Sequence, residues 1–472
     1  MIDSFTGFLA AVDQEYHDRV ALRWDDQEGR LYSATFGQFA ADVRKCAAAL
    51  CGRIAEINRK HIAIMAENSY ECCVCTFGVL FAGGAAVMMN PYESLETLQY
   101  QLAKADVDYV IHDGISPIAG DAQYSDMLLD IGFYQDCQTV CEQPPHESSD
   151  VAFMLFTSGT TGKSKCVMIS SKSVFASLNG MMQYSKMLTM HSYKVLLIYR
   201  LYHAAGVAGW LNDMAMGWEV GICRDIKYIF RNLRDYHSST FSAPPMVFDL
   251  FAKELRLGNR DRLADLESVN VGTAKMDTEK CALFFDNGIA VGYGYGMTEV
   301  FAAGTLNNNS DRSKIDSVGK PSAGIEIRIM DGEVCIKGDA VMMGYYKDPE
   351  ATAEAIRDGW LHTGDLGYLD EDGYLYITGR KKNLIILASG ENVSPEELEA
   401  LLLKNKDIRE TLVKEKNGKI CAEIFCNEDK RQELRGFVTE VNRGLPFYKR
   451  MTLVEFRAEP FEKTASGKIK RA

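Results

Sequence analysis

Apolar positions along the chain change their period, and the changes mark out its elements. Residues 5–12 and 36–50 repeat apolar side chains at helical spacing and frame two short β-prone runs, 21–24 and 31–33. A regular alternation follows: strand at 61–65, helix at 70–81, strand at 86–90, helix at 95–105 and strand at 109–112. Strands separated by helices of about a dozen residues predict parallel βαβ units. Residues 138–150, with Pro144-Pro145 and Ser148-Ser149, read as a linker, and the apolar run 151–156 behind them as a buried strand. Further along, helices are expected at 171–187 and 250–257 and strands at 194–199 and 268–272.

From residue 326 the pattern shortens to β segments, with a hairpin over 368–376 turning at Asp372-Gly373. Past Arg380 a smaller unit begins. Ser394-Pro395-Glu396-Glu397 has the form of a capping box opening a helix, Asn417-Gly418 joins two alternating segments, and 429–442 reads as a helix. An αββα unit of about ninety residues is large enough for a domain of its own. One stretch, 72–89, carries no charge and reaches the length of a membrane span. Gly83-Gly84 interrupts it, so it reads as a buried helix, a turn and a strand, and no integral membrane span is expected.

Composition narrows the partners. A formal net charge of −13 disfavours nucleic acid or an anionic membrane as the main partner, while leaving room for a phosphorylated ligand beside local lysines. Thirteen cysteines with no leader-like segment ahead of them read as reduced thiols of a cytoplasmic protein. Cys72, Cys73 and Cys75 have no second cluster or His pair to complete a zinc site, and read as core.

Candidate chemistry concentrates in a few stretches. Thr157-Ser158-Gly159-Thr160-Thr161-Gly162 is followed by Lys163, Ser164 and Lys165. Such a run makes poor core and poor helix. It reads either as a surface loop or as a turn whose N–H, hydroxyl and ammonium groups surround a polyphosphate. A P-loop would need glycine at position 157, where Thr157 stands. In Gly292-Tyr293-Gly294-Tyr295-Gly296-Met297-Thr298-Glu299, glycines admit a ligand close to the backbone, tyrosines offer faces for a base, and a carboxylate beside a hydroxyl suits Mg²⁺ next to phosphate. The alternative is a glycine-rich hairpin. Trp360-Leu361-His362-Thr363-Gly364-Asp365, with Gly379-Arg380 after the hairpin, pairs a carboxylate able to accept ribose hydroxyls with a guanidinium. Lys463-Thr464-Ala465-Ser466-Gly467-Lys468 reads on composition alone as a solvated basic tail.

Taken in order, these stretches resemble the motifs of the acyl-adenylate-forming superfamily, which holds acyl-CoA synthetases, luciferases and peptide-synthetase adenylation domains. The phosphate loop matches at Thr157–Gly162 and Lys165, and departs at Phe156, Ser164 and Cys166, where the family has Tyr, Pro and Gly. The resemblance implies a large α/β N-terminal domain (1–380) of parallel βαβ sheets with a β subdomain, and a small mobile α+β C-terminal domain (381–472). It implies an ATP-dependent carboxylic acid–CoA ligase that forms an acyl-AMP and pyrophosphate and then a thioester, with ATP, Mg²⁺ and coenzyme A as cofactors. By the same match Tyr295 stacks on adenine, Thr298 holds the α-phosphate and Glu299 carries Mg²⁺. Asp365 takes the ribose, Arg380 lies at the domain boundary and Ile377 belongs with the nucleotide site. Lys382 is the hinge, Lys468 the adenylation lysine, and Ser389, Gly390 and Glu391 line the thiol channel. Gly272, Thr273 and Ala274 take the place of a Gly-Gly-Ala turn beside adenine. His203 borders the acyl pocket with Ala204, Gly206, Val207 and Gly294.

Amino-acid-activating relatives have Phe-Asp where this chain has Tyr202-His203, so a fatty or aryl acid is expected. An acyl carrier protein is the alternative acceptor, and a non-catalytic nucleotide-binding protein is the rival of a different class. Ser164 and Cys166 are expected to slacken the phosphate loop, so that restoring Pro and Gly would speed adenylation.

Overall fold

The computed structural model describes residues 2–471 apart from 27, 59, 140–150, 158–163, 186–193, 273–277, 303, 308–311, 388–391 and 464–468. The chain divides into two compact units, 1–326 with 336–361 and 327–335 with 362–472.

In the first unit the βαβ alternation builds two sheets. One has the order Gly344–Tyr345, Cys166–Ser170, Val151–Phe156, Ala85–Met88, His61–Met65, Tyr109–His112, Leu128–Asp130. Its middle pairings are parallel, as the crossovers require, whereas Val151–Phe156 and Cys166–Ser170 pair antiparallel around the phosphate loop. The second runs from Lys320–Pro321 through Thr305–Asn307, Ala290–Tyr295, Ser268–Val271, Thr240–Ala243, Lys194–Leu197 and Glu219–Ile222 to the pair Val20–Asp25 and Leu31–Thr35. Helices cover these sheets. Phe36–Arg53 starts in a formed capping box, Thr35 with Gln38, and Tyr70–Phe81 buries almost every side chain. That helix ends at Gly83, whose φ of 93° turns the chain into Ala85–Met88, so the uncharged stretch is core. Cys72, Cys73 and Cys75 are buried free thiols, and burial pushes Cys72 up to about 12. Among the described residues no helix is long and apolar enough to cross a membrane.

Most expected elements form with ends moved by one or two residues, while the first two helices run on to Tyr16 and Arg53. The helix at 250–257 is the main exception, running from Pro245 to Arg256 because Pro244-Pro245 starts it earlier. The end of the expected helix 171–187 and most of the 138–150 linker lie outside the described residues.

In the second unit, Ile408–Lys416 and Lys419–Cys426 form an antiparallel hairpin, with Asn417 and Gly418 at φ 56° and 71° as a two-residue turn of this kind needs. Leu453–Arg457 adds a parallel third strand, and the helices Pro395–Leu402 and Arg431–Arg443 supply buried Leu398, Leu402, Leu434 and Val438 to its core. The expected capping box at Ser394 does not form. The Ser394 hydroxyl donates to the Thr378 carbonyl (2.9 Å) and lies 3.1 Å from a Glu396 oxygen, making no cap bond, while Glu397 is paired with Lys449 at 2.7 Å.

Candidate active site

Two strand ends and one short strap assemble the charged part of the first unit's site. Thr157 closes the base of the phosphate loop, its N–H donating to the Lys165 carbonyl at 3.0 Å. Ser158, Gly159, Thr160, Thr161, Gly162 and Lys163 lie outside the described residues. Ser164 is tethered from the helix Leu95–Lys104: the Tyr100 hydroxyl donates to its carbonyl (3.3 Å) and the Gln101 amide to its hydroxyl (3.4 Å). Cys166 is fully buried opposite Phe156 in the core beneath, and burial raises its thiol to about 12. At the loop's C-terminal leg one of the two departures is thus bonded and the other is core, while the loop they were expected to slacken lies outside the described residues. Cys166→Gly is expected to cost about 1–3 kcal/mol of unfolding free energy, through the cavity and the freer strand backbone. Denaturant unfolding measures this, and the adenylation rate is not expected to rise.

The glycine-rich strand Ala290–Tyr295 pairs parallel to Ser268–Val271 on one side and antiparallel to Thr305–Asn307 on the other. The half-buried Tyr295 stands at its end, its N–H donating to the Thr305 hydroxyl at 3.3 Å. A side chain at Gly296 would sit 2.3 Å from the Ala302 carbonyl, so only glycine lets the chain fold back there. After Met297 the chain makes a 3₁₀ turn, Thr298–Val300, which aligns the half-buried Thr298 next to the buried Glu299. The Tyr345 hydroxyl donates to Glu299 Oε1 at 2.9 Å, and the Lys165 ammonium stands 4.5 Å from the centre of the Tyr345 ring. The structure thus brings Lys165 and Glu299 to one tyrosine. Sequence reasoning missed that tyrosine; the only local signal was its place after Gly344.

Around His203, Leu201 N–H donates to Asn68 Oδ1 and the Asn68 amide donates to the Tyr199 carbonyl, both at 2.9 Å, which fixes the turn before the helix Ala204–Ala215. His203 is that helix's N-cap residue, with its ring 4.7 Å from that of Tyr202. Desolvation, then the nearby Arg200 charge, hold the imidazole below its ordinary pKa. Ala204 and Val207 are buried, and a side chain at Gly206 would collide with the Arg200 carbonyl at 2.0 Å, so that glycine serves the close packing of helix on turn. Gly294 lies opposite Leu306, and Gly272 follows Ser268–Val271 with the Tyr199 hydroxyl 2.9 Å from where its side chain would be. Thr273 and Ala274 are outside the described residues.

The second unit carries the carboxylate–guanidinium pair. The strands Trp360–Leu369 and Leu375–Arg380 run antiparallel with Asp365 opposite Arg380, and Arg380 Nε meets Asp365 Oδ1 at 2.6 Å. Thr363 braces the turn: its hydroxyl donates to the Val334 carbonyl (2.7 Å) and accepts from the Asp365 N–H (3.0 Å). Ile377 faces Gly367 within the hairpin. Behind the pair, Glu333 receives the Lys381 ammonium (2.9 Å), lies 3.2 Å from His362 Nδ1 and accepts the Gly364 N–H (2.9 Å). Burial alone would push Glu333 up, but Lys381, His362 and Gly364 outweigh it and hold the carboxyl below its ordinary value. Lys382, next along, is lowered by partial burial and then by Arg380. Ser389, Gly390, Glu391 and Lys468 lie outside the described residues. The residues flanking 464–468 are held: Lys463 bridges Ile469 and pairs with Glu410 at 2.6 Å, and Arg471 pairs with Glu399 at 2.5 Å.

Parallel α/β sheets thus carry a Gly/Ser/Thr/Lys stretch between two antiparallel strands and a buried carboxylate in the turn after a glycine-rich strand. The profile of the AMP-binding enzyme family matches residues 9–346, and the chain belongs to that family. It is 28% identical to a long-chain-fatty-acid–CoA ligase of Bacillus subtilis, over 93% of this chain and 89% of the relative. Identity is also 28% to 4-coumarate–CoA ligase 1 of Solanum tuberosum, over 97% of this chain and 90% of the relative. Among solved structures, it resembles O-succinylbenzoate coenzyme A synthetase of Bacillus subtilis in complex with ATP and magnesium ion. The TM-score there is 0.84 at 23% identity, covering 98% of each chain. ATP-bound MatB from Rhodopseudomonas palustris gives a TM-score of 0.85 at 22% identity, over 98% of this chain and 96% of that one. These likenesses show that the chain shares the fold of those two solved structures.

Proposed function

We infer that this protein is an AMP-forming carboxylic acid–CoA ligase acting on a fatty or aryl acid in the cytoplasm. The observation that carries the reading is the Lys165–Tyr345–Glu299 constellation at the exit of the phosphate loop, in a chain of the AMP-binding enzyme family whose relatives are named as CoA ligases.

In the first half-reaction an acid carboxylate oxygen attacks the α-phosphorus of ATP, the bond to the β-phosphate bridging oxygen breaks, and pyrophosphate leaves. Ser158 to Lys163 and Lys165 receive the leaving phosphates, and Thr298 donates to the α-phosphate. Glu299 fits a hard divalent cation, being a buried carboxylate oriented by a hydroxyl donor. Mg²⁺ held there supplies positive charge that offsets the charge of the leaving group. Tyr295, Gly296 and Met297, with Gly272, Thr273 and Ala274, border adenine. Asp365 accepts the ribose hydroxyls and Arg380 orients it; Lys468 bridges substrate carboxylate and α-phosphate. His203 and Ala204 border the acyl group. Its depressed imidazole keeps a neutral ring against an apolar chain. In the second half-reaction the CoA thiolate attacks the acyl carbon and AMP leaves. Residues 381–472 turn about Lys382 between the steps, exchanging Lys468 for Ser389, Gly390 and Glu391.

A panel of carboxylic acids tests this through pyrophosphate release and thioester formation. Release that depends on a fatty or aryl acid, and a thioester formed with CoA in preference to holo-acyl carrier protein, are the expected results. ATP binding without release for any acid would favour a non-catalytic nucleotide-binding protein.

A further inference from the structure

The segment 342–346 makes bonds to both halves of the phosphate site. Met342 N–H donates to the Glu299 carbonyl at 2.8 Å, Met343 N–H to that of Met168 at 2.9 Å and Tyr346 N–H to that of Cys166 at 2.7 Å. Gly344 and Tyr345 pair antiparallel with Met168 and Val167, on the strand that leaves the phosphate loop. Tyr345 N–H donates to the Thr352 hydroxyl at 2.9 Å, so the residue is fixed from behind as well. Its side chain is 7% exposed, and it turns two different surfaces to two charges: the hydroxyl to Glu299 and the ring to Lys165.

We propose that Tyr345 is a positioning residue for both charges of the adenylation site, its hydroxyl orienting the Glu299 carboxylate toward the divalent cation and its ring seating the Lys165 ammonium against the phosphates. This rests on the assignment of Glu299 as the cation ligand. A hydrogen bond from a neutral donor fixes the plane of a carboxylate without cancelling its charge, which an arginine or lysine in the same place would do. An ammonium over an aromatic face is held without a competing anion, so it keeps its full charge for phosphate. Strand pairing makes the device rigid, because Tyr345 cannot shift without breaking the bonds its neighbours make to Cys166, Met168 and Glu299.

The two surfaces separate by mutation. Tyr345→Phe keeps the ring and removes the hydroxyl; Tyr345→Leu removes both. With the full chain, nucleotide-dependent Mn²⁺ binding is titrated by electron paramagnetic resonance with a non-hydrolysable ATP analogue, alongside ATP–pyrophosphate exchange at varied Mg²⁺ and ATP. Tyr345→Phe is expected to weaken Mn²⁺ binding and raise the half-saturating Mg²⁺ by ~5–10-fold, with KM for ATP at saturating Mg²⁺ within ~2-fold of the parent. Tyr345→Leu is expected to raise that KM a further ~3–10-fold. Unchanged cation dependence in Tyr345→Phe overturns the proposal, as does an equal loss of rate at every Mg²⁺ concentration, which a purely structural role would give. Glu299→Gln separates the two levels. If it abolishes Mn²⁺ binding while Tyr345→Phe leaves that binding unchanged, only the role of Tyr345 fails. If it leaves Mn²⁺ binding intact, the assignment of Glu299 fails and the proposal with it.

Discussion

Lys468→Ala is expected to lower acid-dependent ATP–pyrophosphate exchange by ~10³-fold, about 4 kcal/mol of transition-state stabilisation. The magnitude follows from what the lysine has to do. Two anions, a carboxylate and an α-phosphate, must approach within bonding distance, and an ammonium between them would replace repulsion by attraction. The tail that carries it is anchored on both sides. Lys463 is paired with Glu410, Lys470 N–H donates to the Glu462 carbonyl at 2.8 Å, and Arg471 reaches both Glu399 and Glu396. Losing one side chain between such anchors leaves the fold intact, so the melting temperature of the variant should match the parent. The same variant given a synthetic acyl-adenylate and CoA should form thioester within ~10-fold of the parent rate, because the proposed mechanism uses the lysine in the first half-reaction alone. Exchange at the parental rate would remove Lys468 from the mechanism. Equal loss in both half-reactions would replace a role in adenylation by one in folding or CoA binding.

How much of this was legible in the sequence depends on how local each signal is. The strand His61–Met65 and the helix Tyr70–Phe81 were read to the residue, because a capped helix between continuous apolar strands leaves few alternatives. The Asp365–Arg380 pair was legible only in part: the turn at Gly373 sets the register as far as Gly367 opposite Ile377, and a β-bulge between Leu366 and Gly367 then brings Asp365 opposite Arg380. What failed was set by partners distant in the chain. Ser394 has the local form of a cap, yet the Thr378 carbonyl takes its hydroxyl. Ser164 and Cys166 likewise have surroundings that no neighbouring residue announces. One is bonded from a helix more than sixty residues earlier, and the other fills a core that only the folded sheet defines. Tyr345 lay hidden because nothing near it in sequence carries chemistry. It becomes part of the site only when its short strand pairs with the exit of the phosphate loop.

Glu299→Gln isolates the charge of the carboxylate from its shape. Glutamine is close to isosteric, and its carbonyl can still accept from the Tyr345 hydroxyl, so the turn Thr298–Val300 and the Met342 bond to the residue's backbone should persist. Glu299→Ala would instead leave a buried hydroxyl without its acceptor and confuse catalysis with stability. Pyrophosphate release by Glu299→Gln is expected to fall by ~10²–10³-fold, the loss typical when one electrostatic contact to developing charge is removed. Stability should move the other way. A carboxylate only 7% exposed is costly to desolvate, and a neutral amide is cheaper, so the ligand-free variant should melt at or slightly above the parental temperature. In the presence of Mg²⁺ and ATP the parent gains stability from binding, and the variant should lose most of that gain. A rise without ligand together with a lost shift with ligand is a pair of results that general destabilisation cannot produce. Lower melting without ligand and a preserved shift with it would mean that Glu299 is held for the fold, and the cation would then have to be placed elsewhere.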